Sequence, residues 1–341
     1  MDVDKAFNRI ELAMNDREKT AFTVDNQLFQ FNVMPFGSKN APPTFQRLMD
    51  RILLGLTWKT CLCYMDDIII FSKSFTQHII DVEKIIKICS NANLLLKPSK
   101  CIIADNKVDY LGFSFTTKGM TITKNKLEAI TSKPPPKSGK NLYSFLCGVQ
   151  YYCRLIPRWG ELTNQLYKMC ESKKKFVWDE KNLNSYEQLK KSLVTAPILA
   201  YPDFNKPFIM KTDASSTAIG GFLAQNFELI RPISFASRKL NETERKYTVS
   251  ERELLAIVYC HSQFSCYIYG RHVECFTDHK PLVTMRRLKR PFDPLGRLFH
   301  KLEGADITLK HISGRDNFLP DFMSRVHESD TPTITAHQIN I

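Results

Sequence analysis

The chain has 341 residues, 43% hydrophobic and 24% charged, which excludes a disordered protein and leaves room for two or three domains with real cores. Its 48 lysines and arginines against 35 acidic residues give a net charge of +13. That excess suits a polyanionic partner and would make binding salt-sensitive, although a merely soluble basic protein carries the same excess.

Ten cysteines sit in apolar stretches without the paired spacing of a zinc site or a disulfide framework, so they read as reduced thiols. No apolar run is long enough to span a bilayer, and the first residues alternate charge with hydrophobe instead of forming a signal core. A cytoplasmic or nuclear protein is expected, neither secreted nor membrane-bound.

The opening Met1-Asp2-Val3-Asp4 places a carboxylate beside the first residue, so the chain is expected to begin inside a domain. Thr20 to Phe31 alternates around Asp25-Asn26, which predicts a hairpin. In Met34 to Gln46, Gly37 permits close backbone approach. Asn40 stands as an N-cap, and Pro42-Pro43 fit the first turn of a helix continuing through Phe45, Met49, Ile52 and Leu53.

Tyr64-Met65-Asp66-Asp67 lies between two apolar arms, Cys61 to Cys63 and Ile68 to Phe71, which predicts strand, acidic turn, strand. Aspartates at a hairpin tip are ordinary when water solvates them. Two like charges pinned between apolar arms instead favour a divalent cation, for which magnesium is the simplest choice, with phosphoryl or nucleotidyl transfer as the implied chemistry.

Ile79, Val82, Ile85, Ile86 and Cys89 recur at helical spacing, and the chain returns to extended structure at Leu94 to Cys101. Lys97 and Lys100 read either as solvated cations or as phosphate contacts. Val108 to Phe115 alternates as a strand interrupted by Gly112 and turns at Lys118-Gly119.

These stretches resemble the palm of retroelement reverse transcriptases, and most of all the Ty3/gypsy class of long-terminal-repeat retrotransposons. The resemblance rests on four motifs in family order: Asp2 with Phe7, Met34 to Gln46, Tyr64 to Asp67, and Tyr110-Leu111-Gly112. It implies that Asp2, Asp66, Asp67 and the Val3 carbonyl hold two Mg2+ ions, with Mn2+ as a substitute. Phe7, Phe36 and Gly37 would contact the incoming deoxynucleoside triphosphate, with Phe7 excluding a 2′-hydroxyl; Leu111 and Gly112 would contact the primer. Ala6 and Arg9 depart from the usual glycine and glutamine. The basic fingers region that precedes Asp2 in relatives is expected to be missing.

A proline-rich break at Ser132 to Gly139 predicts a domain boundary. Helices are expected at Leu142 to Leu155, Leu162 to Cys170 and Leu183 to Leu193, with Lys173 to Lys175 and Lys190-Lys191 as basic clusters. Such clusters are usually solvated faces; by the resemblance they belong to a thumb that grips a template-primer backbone.

Beyond Pro202 the pattern changes to short strands at Phe208 to Asp213, Ile219 to Ala224 and Ile233 to Ala236, an antiparallel meander. A helix carrying Glu251 and Glu253 follows, then strands at Val273 to Thr277 and Ile307 to Ile312, and a last helix from Pro320. The order of elements, with Thr212-Asp213-Ala214-Ser215, Glu253-Leu254-Leu255-Ala256, Phe276 to Leu282 and Ser313 to Asn317, resembles ribonuclease H of retrotransposons. By that resemblance Asp213, Glu253, Asp278 and Asp321 hold two Mg2+ ions and cut the RNA strand of an RNA-DNA hybrid. Glu251 rivals Glu253, and His279 and His311 are left outside the catalytic set.

The expected class is a multidomain α+β and α/β protein: a palm at 1–131, a helical thumb or connection at 132–205, a ribonuclease H-like mixed sheet with helices at 206–326, and a tail at 327–341. The expected partners are an RNA or DNA template with its primer and RNA-DNA hybrids. A second reading stays open, a truncated or host-adopted remnant that binds nucleic acid and keeps ribonuclease H activity or none.

Overall fold

The computed structural model describes residues 1–171, 176–227, 230–285 and 294–313. Two compact units part between Leu111 and Gly112. The expected proline-rich break is not where they separate, because the two strands before it contribute Phe113 and Ile122 to the core of the second unit and the helix before it packs Leu127 and Ile130 against that core.

In the first unit, a single turn α1 (Met14–Arg17) precedes the hairpin β1 (Phe22–Val24) and β2 (Gln27–Phe29), closed by Asp25 and Asn26 at positive φ. The mirror-image turn that matches strand twist requires left-handed residues, and Asn and Asp tolerate them. Next come α2 (Ala41–Ile52), β3 (Cys61–Tyr64), β4 (Asp67–Ile70), α3 (Phe75–Asn91) and β5 (Lys107–Tyr110). Phe45, Met49 and Leu53 from the α2 stretch are fully buried with Cys61, Ile68, Ile85 and Cys89, the one-sided burial that helical spacing demands. Asn40 occupies the cap position of α2, but its side chain makes no capping bond. Two prolines in the first turn leave fewer amides there needing a partner. Ser74 does cap α3, accepting from the Gln77 amide.

The second unit begins with the hairpin β6 (Phe113–Thr116) and β7 (Gly119–Ile122), then α4 (Lys124–Thr131), α5 (Gly139–Gln150), α6 (Trp159–Glu171) and α7 (Glu180–Val194). A five-stranded mixed sheet follows in the order β10-β9-β8-β11-β12, from β8 (Phe208–Ala214), β9 (Ala218–Asn226), β10 (Ile230–Lys239), β11 (Val273–Thr277) and β12 (Ile307–His311). β8, β9 and β10 form the expected antiparallel meander, and β11 lies parallel to both β8 and β12. The helices α8 (Val249–Gln263), α9 (Ser265–Ile268), α10 (Lys280–Met285) and α11 (Pro294–His300) complete it.

Both faces of this sheet are covered. Ile219 and Leu223 of β9 pack with Leu254, Ile257 and Cys260 of α8, while Phe222 and Ala224 pack with Leu146, Leu166 and Leu189 of the preceding helices. A strand buried on both faces loses its polar alternation, as eight consecutive buried residues of β9 record. The helical segment expected as a separate thumb or connection therefore shares a core with the sheet. Lys173 to Lys175, Gly314 to Asn317, the segment from Pro320 where a last helix is expected, and the expected tail lie outside the described residues.

Candidate functional site

The acidic hairpin is built as its sequence demands. Tyr64 pairs with Asp67, so Met65 and Asp66 form a two-residue loop, with Met65 at φ 54. The N-terminal segment lies beside it: Val3 N–H donates to the Asp66 carbonyl at 3.1 Å, Ile68 N–H donates to the Met1 carbonyl at 2.9 Å, and Asp2 bridges Asp67. On its other side the Lys97 amide donates to the Asp2 carbonyl at 2.9 Å. Backbone pairing thus brings Asp2, Asp66 and Asp67 to one end of the hairpin. Burial, then the charges of Asp66 and Asp2, hold the Asp67 carboxyl above its ordinary value.

Two side chains complete this end. Lys100 Nζ lies 3.1 Å from Asp2 Oδ2, an ion pair that neither sequence reading of that lysine included, and the bond holds the Lys100 ammonium above its ordinary pKa. Gln46 of α2 accepts from the Met65 amide at 2.7 Å and donates to the Cys63 carbonyl at 3.3 Å, clamping the loop from behind. Sequence reasoning gave Gln46 no role of its own, and the only signal was its place at the end of a motif.

Phe7 is half-buried, 5.3 Å from the exposed Phe36 ring and 5.9 Å from the buried Phe45 ring. Gly37 adopts φ 89, and a Cβ there would meet no atom within 4 Å. Its glycine therefore answers to backbone conformation, and the space above it is open. Leu111 and Gly112 both have positive φ, and a Cβ on Gly112 would stand 2.7 Å from the Tyr152 hydroxyl.

The second acidic group lies wholly in the sheet unit. Asp213 comes near the end of β8, Glu253 from α8, and Asp278 from the residue after β11. Among the described residues these three are the one set whose carboxylate oxygens all lie within 4.8 Å of one another. Asp213 and Glu253 are buried, and burial followed by the charges of Asp213 and Asp278 pushes the Glu253 carboxyl up to about 9. Glu253 Oε1 accepts from the Ala214 amide at 3.2 Å, while its buried Oε2 has no hydrogen-bond partner.

A buried, unsatisfied carboxylate oxygen facing two more carboxylates fits a hard, oxygen-seeking cation. Glu251, the rival for this position, is spent elsewhere: it forms a capping box with Thr248 at the start of α8. His311 lies at the exposed end of β12, in register with Thr277. Asp321 lies outside the described residues.

Residues 1–115 match the family described as reverse transcriptase (RNA-dependent DNA polymerase), and residues 178–275 match the RNase H-like domain found in reverse transcriptase. The retrovirus-related Pol polyprotein from transposon 297 of Drosophila melanogaster is 36% identical over 346 aligned positions, which cover 100% of this chain and 32% of the relative. The Pol polyprotein from transposon gypsy of the same fly is 32% identical, covering 95% of this chain and 32% of the relative. The chain spans about a third of the length of these curated relatives.

Among solved structures, the foamy viral protease-reverse transcriptase dRH in complex with double-stranded DNA aligns with a TM-score of 0.80 at 21% identity, over 91% of this chain and 56% of that one. The foamy viral protease-reverse transcriptase in complex with an RNA/DNA hybrid aligns with a TM-score of 0.75 at 22% identity, over 97% and 45%. At these identities the likeness establishes a shared fold.

Proposed function

We propose that the chain, which carries the reverse transcriptase match at residues 1–115 and the RNase H-like match at residues 178–275, is part of a long-terminal-repeat retrotransposon Pol polyprotein and acts as an RNA-directed DNA polymerase that also cuts the RNA strand of RNA-DNA hybrids. The observation that carries the reading is the convergence of Asp213, Glu253 and Asp278 from three separate elements on one point. Nothing in folding requires three carboxylates to meet at the end of a sheet, and their mutual repulsion opposes it.

Asp213, Glu253 and Asp278, with Asp321, would hold Mg2+ or Mn2+, and Asp2, Asp66, Asp67 and the Val3 carbonyl would hold the same ions at the hairpin. Bound there, two such ions supply Lewis-acid activation of the attacking oxygen and stabilisation of the leaving one. The chain's own residues do the rest. At the hairpin, Gln46 fixes the loop that carries Asp66, and Phe7, lying on Phe45, fills the place under a nucleotide sugar where a 2′-hydroxyl would stand. Phe36 and Gly37 border the incoming triphosphate, and Leu111 and Gly112 turn the backbone towards the primer. At the sheet, the Ala214 amide orients Glu253.

The template-primer and the hybrid are the proposed nucleic-acid partners, with deoxynucleoside triphosphates as substrates. All ten cysteines are free, which supports a reducing compartment, cytoplasm or nucleus. The test is hybrid cleavage by the chain and by Asp213→Asn: equal cleavage by both overturns the ribonuclease H assignment. A second reading, in which only ribonuclease H works and the hairpin unit merely binds nucleic acid, is favoured by the ion pair that occupies Asp2. Tight template-primer binding without primer extension would select it.

A further inference from the structure

Ser250 and His279 have no part in the function above, yet their side chains meet: the Ser250 hydroxyl lies 2.8 Å from His279 Nε2. Each belongs to the local frame of a different carboxylate. Ser250 stands one turn before Glu253 on α8, and His279 directly follows Asp278. We infer that the Ser250–His279 hydrogen bond is a positioning strut that holds the Glu253 helix at a set distance from the Asp278 turn. The inference rests on the reading of Asp213, Glu253 and Asp278 as a divalent-cation site.

α8 is fastened to the end of β8 by two bonds, from Arg252 Nη1 to the Ser215 carbonyl at 2.7 Å and from the Ala214 amide to Glu253 Oε1 at 3.2 Å. Those bonds fix Glu253 against the Asp213 strand and leave the Asp278 side to be held. Asp278 lies beyond the last residue of β11, where ladder bonds no longer restrain it, and its charge repels the two carboxylates it faces.

His279 is well placed to resist that repulsion. Its amide donates to the Thr277 hydroxyl at 3.2 Å, its carbonyl accepts from the Leu282 amide at 3.0 Å, and Thr277 itself is fully buried. The imidazole therefore projects from a braced turn, and a bond from it to α8 transmits that bracing across the site. Groups that hold ligands in place without touching the metal commonly change its affinity by about ten- to a hundredfold.

The experiment is Mn2+ binding by isothermal titration calorimetry on the full chain, with Ser250→Ala, Ser250→Thr, His279→Ala and the Ser250→Ala/His279→Ala pair. Both single alanine variants should weaken binding about tenfold. Ser250→Thr, which keeps the hydroxyl, should restore it, and the double variant should be no worse than the weaker single one, because both remove the same bond. Unchanged affinity in Ser250→Ala, or losses that multiply in the double variant, overturns the strut. If His279→Ala fails to fold, the Ser250→Ala and Ser250→Thr pair decides alone. Wild-type binding no tighter than that of Asp213→Asn instead overturns the reading of the cation site, and the strut with it.

Discussion

Asp67 and Glu253 each sit beside two other carboxylates, but they sit in different media. Asp67 is partly desolvated but keeps much of its surface in water at a hairpin tip, which weakens its repulsion from Asp66 and Asp2, and Lys100 supplies a counter-charge to Asp2. Glu253 is buried on a sheet-packed helix, with one oxygen unsatisfied and its carboxyl pushed up to about 9. The same ingredient thus makes a weakly strained site at the hairpin and a strongly strained one at the sheet. The sheet site should depend more on a cation for its stability.

The largest effects test whether the two sites are independent. Asp213→Asn should lower hybrid cleavage by on the order of a thousandfold and leave primer extension near wild type, and Asp67→Asn should do the reverse. Both rates measured on one preparation check this, and a variant that loses both together would break the comparison.

Next comes the pH dependence of a third buried carboxylate in the sheet unit. Glu161 is ion-paired with Arg158 at 2.8 Å, yet burial outweighs the arginine and pushes its carboxyl up to about 7, with the charge of Asp213 adding to the rise. A carboxyl whose pKa is raised on folding contributes stability that is fully present below its unfolded value and lost as pH rises through its folded one. From 4.5 to about 7 the change is on the order of 3 kcal/mol. Glu161→Gln should remove that loss, so urea midpoints of wild type and variant should diverge between pH 5 and pH 8, with the variant favoured at the higher pH. Parallel curves would mean that Arg158 keeps Glu161 ionised throughout.

Divalent cations should then raise the stability of the sheet unit by about 3 kcal/mol at a hundredfold excess over the dissociation constant. The gain should vanish in Glu253→Gln and survive in Asp67→Asn. Thermal melts with and without Mn2+ measure it, and an equal loss in both variants would place the stabilising ion at the hairpin.

What could be read from the chain alone divides along a similar line. The hairpin, the helix of Phe45 and Met49, the antiparallel meander and the carboxylates near the ends of β8 and β11 follow from local pattern, and each is legible. The shared core of helices and sheet was not, because the burial of β9 on both faces depends on helices contributed by residues far earlier in the chain. The ion pair of Lys100 with Asp2 spans 98 positions, and no local rule reaches that far. The sequence favours Glu253 over its rival Glu251 only by the Glu-Leu-Leu-Ala context, and the capping box with Thr248 supplies the physical reason by occupying Glu251. Asn40 had the composition of a cap without the hydrogen bond.

Gln46 sharpens the contrast at its smallest scale. The sheet carboxylates are aimed by strands and a helix inside a packed core, whereas the hairpin loop carrying Asp66 is steadied by one amide that accepts from Met65 and donates to Cys63. Gln46→Ala leaves the Met65 amide without that acceptor at a half-buried position, a cost of about 1 kcal/mol, and frees the loop to sample other turns. Primer extension should fall about tenfold while hybrid cleavage is unchanged. Gln46→Glu keeps an acceptor for Met65 but loses the donor to Cys63 and adds a negative charge behind Asp66, so it should extend primers more slowly than Gln46→Ala. If Glu is tolerated better than Ala, acceptance from Met65 outweighs the added repulsion, and the tip is less strained by charge than its three aspartates suggest.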